Sequence, residues 1–250
     1  MNSSNNTLLK PPVIMAIFQL KISPNRDVKF SNLIANDENI KRIFPQRSDN
    51  YHSHLGLGTI APGISTIKVK ADTKINSYTY FSEDKKEKFI IDTDSVTYIT
   101  ENIYTGWESF KKKIFTCVHL IWEQLQEYDI DRTSVRFVNK FTIDSFMNPL
   151  DYFTKTISSS TEEIIYPLNK YTFRLFLEIP EFDSVSIVNH ALEPTEIKDR
   201  VEYFLDIDAL CLEKIPIKWE AIEDKLEKLH EVKNNIFFDS LTDKTKELCN

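Results

Sequence analysis

Two distant segments of the chain carry the same order of chemical features, and this repetition constrains the fold more than any other property. Residues 89–125 and 204–241 each begin with an apolar run, continue through an Asp-x-Asp pair and a connector, and end in a long helical pattern. The matching positions are Asp92 and Asp94 with Asp206 and Asp208, and Trp107-Glu108 with Trp219-Glu220. The repetition predicts an internal duplication of one strand-plus-helix unit, which indicates an architecture and names no chemistry.

The composition is that of a globular chain with a large core. Hydrophobic residues make up 41% of the 250 residues and include 17 Phe and 10 Tyr. A chain of this size buries enough apolar surface to fold without disulfides or a structural metal. The formal net charge is −7. Because phosphate contacts supply most of the affinity for nucleic acids, and those contacts require a basic surface, the charge argues against a nucleic-acid partner.

The cysteines and the apolar runs bear on the compartment. Cys117, Cys211 and Cys249 are an odd number and lie far apart, which argues against a disulfide framework and favours the reducing cytoplasm. The first residues lack the apolar core of a signal peptide. No apolar run approaches the roughly 18 residues of a membrane-spanning helix. We therefore expect a cytoplasmic protein with no membrane association.

Hydrophobic periodicity predicts strands in both parts of the chain and two long helices. Residues 13–22 alternate with a period of two, as a strand does. Apolar residues spaced three or four apart predict one helix from about Tyr104 to Leu125 and a second over 218–236. Residues 49–63 contain three of the four glycines and are predicted to form a loop.

These elements predict an α+β fold with two similar halves, each an antiparallel sheet covered by one long helix. The first sheet-plus-helix unit would comprise residues 1–145 and the second residues 146–250. We expect the two units to pack as one compact body, with a groove between them.

Four segments resemble a known group of proteins: PPVIMAIFQLKI at 11–22, YTGWESF at 104–110, RTSVRFVNKFTI at 132–143 and FFDSLTDKTKE at 237–247. The chain resembles a sporadically distributed family of prokaryotic proteins of about this length for which no activity is established. The resemblance covers nearly the whole chain and supplies no catalytic residue. The patchy distribution implies an accessory system, such as a defence or toxin–antitoxin locus.

The two Asp-x-Asp pairs are the candidate metal ligands. Residues two apart on a strand point to the same side, so Asp92 and Asp94 would share a face, as would Asp206 and Asp208. Carboxylates in such a pair can hold Mg²⁺ or Mn²⁺ with substrate phosphates completing the shell. The alternative is a solvated strand face or a cap on neighbouring amides. Duplication favours that alternative, because an active site rarely needs two copies.

A basic strand supplies the candidate binding residues. If 133–143 is a strand, Arg136 and Lys140 project from one face and could bind an anion or an acidic partner. The alternative is a solvated face on which both cations pair with carboxylates of the next strand. Asn139 lies in the apolar row of the opposite face, where a polar side chain needs buried hydrogen bonds.

Several common chemistries are not indicated. Neither a phosphate-binding glycine motif nor a nucleophile-elbow motif occurs. We expect no cofactor and assign no catalytic residue. The favoured function is a non-catalytic binding or interaction protein of an accessory prokaryotic system, with a protein partner or a second copy of itself, or with a small ligand in the groove. The alternative is a metal-dependent hydrolase or nuclease built on an Asp-x-Asp pair.

Overall fold

A computed structural model describes residues 8–24, 33–34, 37–57, 69–145, 148–156 and 170–249, without the side chains of 51–57 and 69–74. The described strands are β1 (Val13–Pro24), β2 (Gln46–Leu57), β3 (Val69–Phe81), β4 (Glu87–Asp92), β5 (Ser95–Glu101), β6 (Tyr128–Asp144), β7 (Tyr171–Ile179), β8 (Ser184–Pro194) and β9 (Arg200–Cys211). The described α-helices are α1 (Asp37–Ile43), α2 (Trp107–Leu120), α3 (Trp122–Leu125), α4 (Trp219–Ser240) and α5 (Asp243–Leu248).

The strands form one continuous antiparallel sheet. Their order is β2-β3-β4-β5-β1-β6-β9-β8-β7. The two central strands come from different parts of the chain: β1 pairs with β6 along nearly its whole length. Strands β5, β4, β3 and β2 extend the sheet on one side of this pair, and β9, β8 and β7 extend it on the other. The pairing of β1 with β6 therefore joins the first and second parts of the chain into a single layer.

The predicted α+β fold with two sheet-plus-helix halves is wrong, because the chain is mostly one large antiparallel sheet with few helices. The predicted internal duplication is not borne out either. The segment taken for a connector in the first copy is a strand, β5, which pairs with β1. Asp92 therefore ends β4 and Asp94 lies in the turn before β5, whereas Asp206 and Asp208 lie within β9. The two Asp-x-Asp pairs do not occupy equivalent positions.

Two further expectations concern boundaries. The loop predicted for residues 49–63 is wrong over its first part, since β2 continues to Leu57; residues 58–63 lie outside the described residues. The boundary between units 1–145 and 146–250 falls directly after β6, which pairs with β1 on one side and β9 on the other. That division into two units stays a prediction.

One face of the sheet packs against the helices and forms the core. The helix-facing side chains of the central strands are almost fully buried, including Phe18 of β1 and Phe137 of β6. Helix α2 contributes Phe110, whose ring lies 5.7 Å from that of Phe137. Helix α4 buries Leu226 and its neighbours one and two turns away on the same face. Within the described ranges no helix, α4 included, is long and apolar enough to cross a membrane.

Truncating a helix-facing aromatic residue should cost far more stability than truncating one on the opposite face. Phe18 is 1% exposed and Phe176 is 67% exposed. We expect Phe18→Ala to lower the free energy of unfolding by ~3–5 kcal/mol, because it leaves a cavity in the core. Phe176→Ala should change it by less than ~0.5 kcal/mol. Urea unfolding of both variants measures the difference, and equal losses would contradict the one-sided core.

Candidate functional site

The sheet face opposite the helices, here called the open face, has no helix packed on it within the described ranges. One row of directly paired residues crosses this face through every strand. From one edge to the other, the row is Phe176, Ile187, Asp208, Arg136, Ile17, Ile99, Lys88, Phe81 and Gln46. We call it the central row. It brings together side chains that are far apart in the sequence.

The central row is more apolar than a solvated sheet face usually is. An antiparallel sheet with one covered face normally alternates apolar residues inward with polar residues outward. Here Ile17 and Ile99 are neighbours at the middle of the open face, and Ile187 and Phe176 lie next to each other near one edge. The combination of apolar side chains with a few ordered charges is typical of a contact surface.

Beside the central row, four polar side chains form a hydrogen-bonded network. The Arg136 guanidinium donates to both carboxylate oxygens of Asp206, at 2.7 Å from Nε and 2.6 Å from Nη2. Asn189 donates to the same carboxylate at 3.0 Å and accepts from Arg174 Nε at 2.6 Å. The network spans β6, β9, β8 and β7. Because the Asp206 side chain is only 12% exposed, this bidentate ion pair is stronger than one on a fully solvated surface.

Asp208, two residues from Asp206, lies in a different environment. Its Oδ1 is buried and has no hydrogen-bond partner among the described residues. Burial raises the pKa of its carboxyl above the usual value of 3.8, and the nearby Arg136 and Arg132 guanidinium groups only partly oppose that shift. Arg132 itself donates to Gln19, which in turn donates to Thr97 at 3.1 Å.

A shallow depression of about 330 Å³ lies at the middle of the open face. Its lining includes the small side chains of Ser95, Thr97 and Ser134 and larger ones such as Ile90 and Arg136. Asp208 lines one side and Asp92 another. The depression therefore offers carboxylate, guanidinium and hydroxyl groups next to apolar side chains.

The structure separates the three predicted binding residues. Arg136 and Lys140 lie on the open face, where Lys140 pairs with Glu202 of β9 at 3.1 Å. Both cations thus have carboxylate partners on the neighbouring strand. Asn139 is 1% exposed on the helix-facing side, and its side-chain amide donates to the Leu205 carbonyl at 3.0 Å. Whether these residues bind a ligand stays a prediction.

The four predicted metal ligands do not converge. Asp92 Oδ1 accepts from the Thr93 backbone and hydroxyl, Asp94 pairs with Lys21 at 2.5 Å, and Asp206 belongs to the Arg136 network. Asp92 and Asp208 lie four strands apart, which is roughly 19 Å at the usual strand spacing. Among the described residues no group of three or more His, Cys, Asp or Glu could hold a metal ion.

Several residues of this face were not singled out from the sequence. Asn189 on β8 and Arg174 on β7 complete the network. Gln19 and Ile17 lie on β1, at the centre of the open face. A signal for the open face was present, because Val13–Ile17 is apolar at every position. Such a run indicates a strand with apolar side chains on both faces.

Comparison of the sequence with protein-family models and with curated proteins found no match. The resemblance to a sporadically distributed prokaryotic family therefore stays a prediction. The function has to be argued from the geometry of the chain itself.

The two carboxylates of β9 should respond oppositely to amidation. Asp206→Asn removes the carboxylate charge from its pair with Arg136 and should lower the free energy of unfolding by ~1–3 kcal/mol at pH 7. We expect a loss toward the lower end of this range because the Arg136 side chain is 42% exposed. Asp208→Asn should stabilise the fold at pH 7. A raised folded-state pKa means that ionisation of Asp208 opposes folding as the pH rises above about 4.

Urea unfolding at pH 7 and near pH 3 measures both effects. The increase in the free energy of unfolding caused by Asp208→Asn should shrink towards zero at the lower pH, because the carboxyl of the wild-type chain is then protonated in both the folded and unfolded states. A gain that is as large near pH 3 as at pH 7 would contradict the assigned cause.

Proposed function

We propose that this chain is a non-catalytic binding protein that docks a partner protein on its open face. The observation that carries the proposal is the central row, whose partly exposed apolar side chains lie next to the pre-formed network of Arg136, Asp206, Asn189 and Arg174. A buried apolar centre with few, well-paired charges is the usual composition of a specific protein interface.

The dimensions of the open face support a protein as the partner. The nine strands of the described residues, at about 4.8 Å spacing, give a surface roughly 40 Å across. A standard interface buries about 800 Å² on each partner, which a face of this width supplies. The depression of about 330 Å³ is open to solvent and encloses little of a small molecule.

The bonding of the network supports affinity and defines the chemistry of the partner. Side chains already held in one geometry lose little conformational entropy on association. Asp208 lines the depression at the middle of the open face, so a partner that places a Lys or Arg side chain there would bring a cation close to its carboxyl. With a formal net charge of −7 on this chain, a basic partner would also associate faster.

The cellular setting belongs to the same proposal. The three cysteines are free thiols and buried, which fits a reducing cytoplasm. An accessory prokaryotic system, such as a defence or toxin–antitoxin locus, is what the family resemblance implies. The metal-dependent hydrolase or nuclease stays an untested alternative without a ligand set among the described residues.

Placing a carboxylate on the open face should weaken docking. Ile17→Asp at the centre and Phe176→Asp near the edge each replace an apolar side chain of the contact by a carboxylate, and each should weaken the complex at least about tenfold. Leu248→Asp is the matched control, since Leu248 is 58% exposed on α5, on the helix side. The measurement begins with capture of the partner from the native host by the wild-type chain. The partner is then purified, and its affinity for each variant is determined by calorimetry.

Circular dichroism and urea unfolding must show that both open-face variants fold. Binding that both tolerate, while Leu248→Asp abolishes it, would place the interface on the helix side instead. Light scattering of the wild-type chain tests a second copy as the partner: a dimer that Ile17→Asp converts to a monomer would identify that occupant.

A further inference from the structure

A pocket on the helix side of the sheet is separate from the open face. It has a volume of about 220 Å³ and lies between the segment before β1, the start of α2 and the second half of α4. Pro11, Trp107 and Phe238 are among its apolar wall residues, and Lys233, His230 and Asn139 supply polar groups. The volume is smaller than the roughly 300–1,000 Å³ of sites for drug-sized ligands, so it suits a small molecule.

Lys233 places a primary amine in this apolar environment. The residue is 7% exposed. Its Nζ donates to Asn234 Oδ1 at 2.6 Å and lies 4.2 Å from the centre of the Phe137 ring. Burial lowers the pKa of the amine to about 7. An amide oxygen and an aromatic ring stabilise an ammonium ion much less than a carboxylate does.

The amine lacks an acidic partner among the described residues. Neither Asp nor Glu lines the pocket, and the described ion pairs do not include Lys233. Lys225, two turns earlier on α4, shows the usual arrangement. It is 8% exposed and pairs with Glu213 at 3.0 Å. Buried charges in proteins are normally paired. Lys225 follows this rule, whereas Lys233 has no carboxylate partner among the described residues.

The other polar groups of the pocket are neutral. The His230 ring stacks on Trp107 with 4.1 Å between ring centres, and Asn234 Nδ2 donates to its Nε2 at 3.1 Å. Burial lowers the pKa of His230 to about 3, so the imidazole carries no charge at neutral pH. Asn139 contributes a buried amide from the sheet. Lys233 is therefore the single group among the lining residues that can pair with a charged ligand.

We propose that this pocket binds a small apolar carboxylate, whose carboxylate group pairs with Lys233 and whose body packs between Trp107 and the phenylalanines of α4. Lys225 has the carboxylate of Glu213 as its anionic partner. The described lining residues offer Lys233 no such partner, and the carboxylate of the ligand would take that place. Its apolar part replaces water on Pro11, Trp107 and Phe238, which provides the hydrophobic contribution to binding. This site is independent of docking on the open face.

Three matched pairs of probes test the proposal: benzoate with benzamide, phenylacetate with phenylacetamide, and hexanoate with hexanamide. The members of each pair have nearly the same shape and differ in charge. At least one carboxylate should bind the full chain saturably in calorimetry, and its amide should bind at least about tenfold more weakly, equivalent to ~1.4 kcal/mol. Lys233→Met should abolish carboxylate binding, because it keeps an unbranched apolar side chain as far as Cε and removes the amine.

Lys225→Met is the control, because it removes a lysine of nearly equal burial from the same helix. It should leave the affinity for the carboxylate unchanged. Urea unfolding establishes that Lys233→Met folds, which we expect since an apolar side chain fits this environment; should it fail to fold, Lys233→Gln replaces it. The proposal is overturned if none of the three carboxylates binds the wild-type chain, if an amide binds as tightly as its carboxylate, or if the Lys233 variant retains the affinity.

Discussion

Pairing between β1 and β6 makes the sheet continuous, since these two strands lie at its centre. It joins strands from the first and second parts of the chain by backbone hydrogen bonds over most of β1. Without it, each part would present a long unpaired strand edge, which exposes backbone groups and invites association. With it, α2 and α4 lie over one continuous layer. The ring of Trp122, the first residue of α3, stacks 3.9 Å from the ring of Trp219, the first residue of α4.

Because the helices cover only one face, the sheet presents two different chemical environments. On the helix side, aromatic residues such as Phe110 and Phe137 close the core, and a small pocket remains where α2, α4 and the segment before β1 meet. On the open face Arg136 pairs with Asp206, and the apolar side chains of the central row are partly exposed. The two proposals divide in the same way: a protein would dock on the open face, and a small molecule would bind in the pocket on the helix side.

Local patterns predicted the elements better than their arrangement. The stripe of apolar residues predicted a helix from about Tyr104 to Leu125, and the structure has α2 and α3 from Trp107 to Leu125. The helix predicted for 218–236 is α4, which begins at Trp219. Arg136 and Lys140 were correctly placed on one face, opposite Asn139, because alternation within a strand is a local property. The network around Arg136 was not predictable, since it needs β8 and β7, which lie far along the sequence.

The sequence alone was enough to predict the two long helices and the side chains that share a face within a strand, because periodicity follows from the geometry of each element. It also determined the acidic charge and the abundance of aromatic residues for the core. The three-dimensional contacts were needed to show that the strands form one sheet, that β5 rather than a connector follows Asp94, and that no Asp or Glu lines the pocket of Lys233 among the described residues. Pairing partners and burial depend on contacts between distant residues, which periodicity within a segment does not specify.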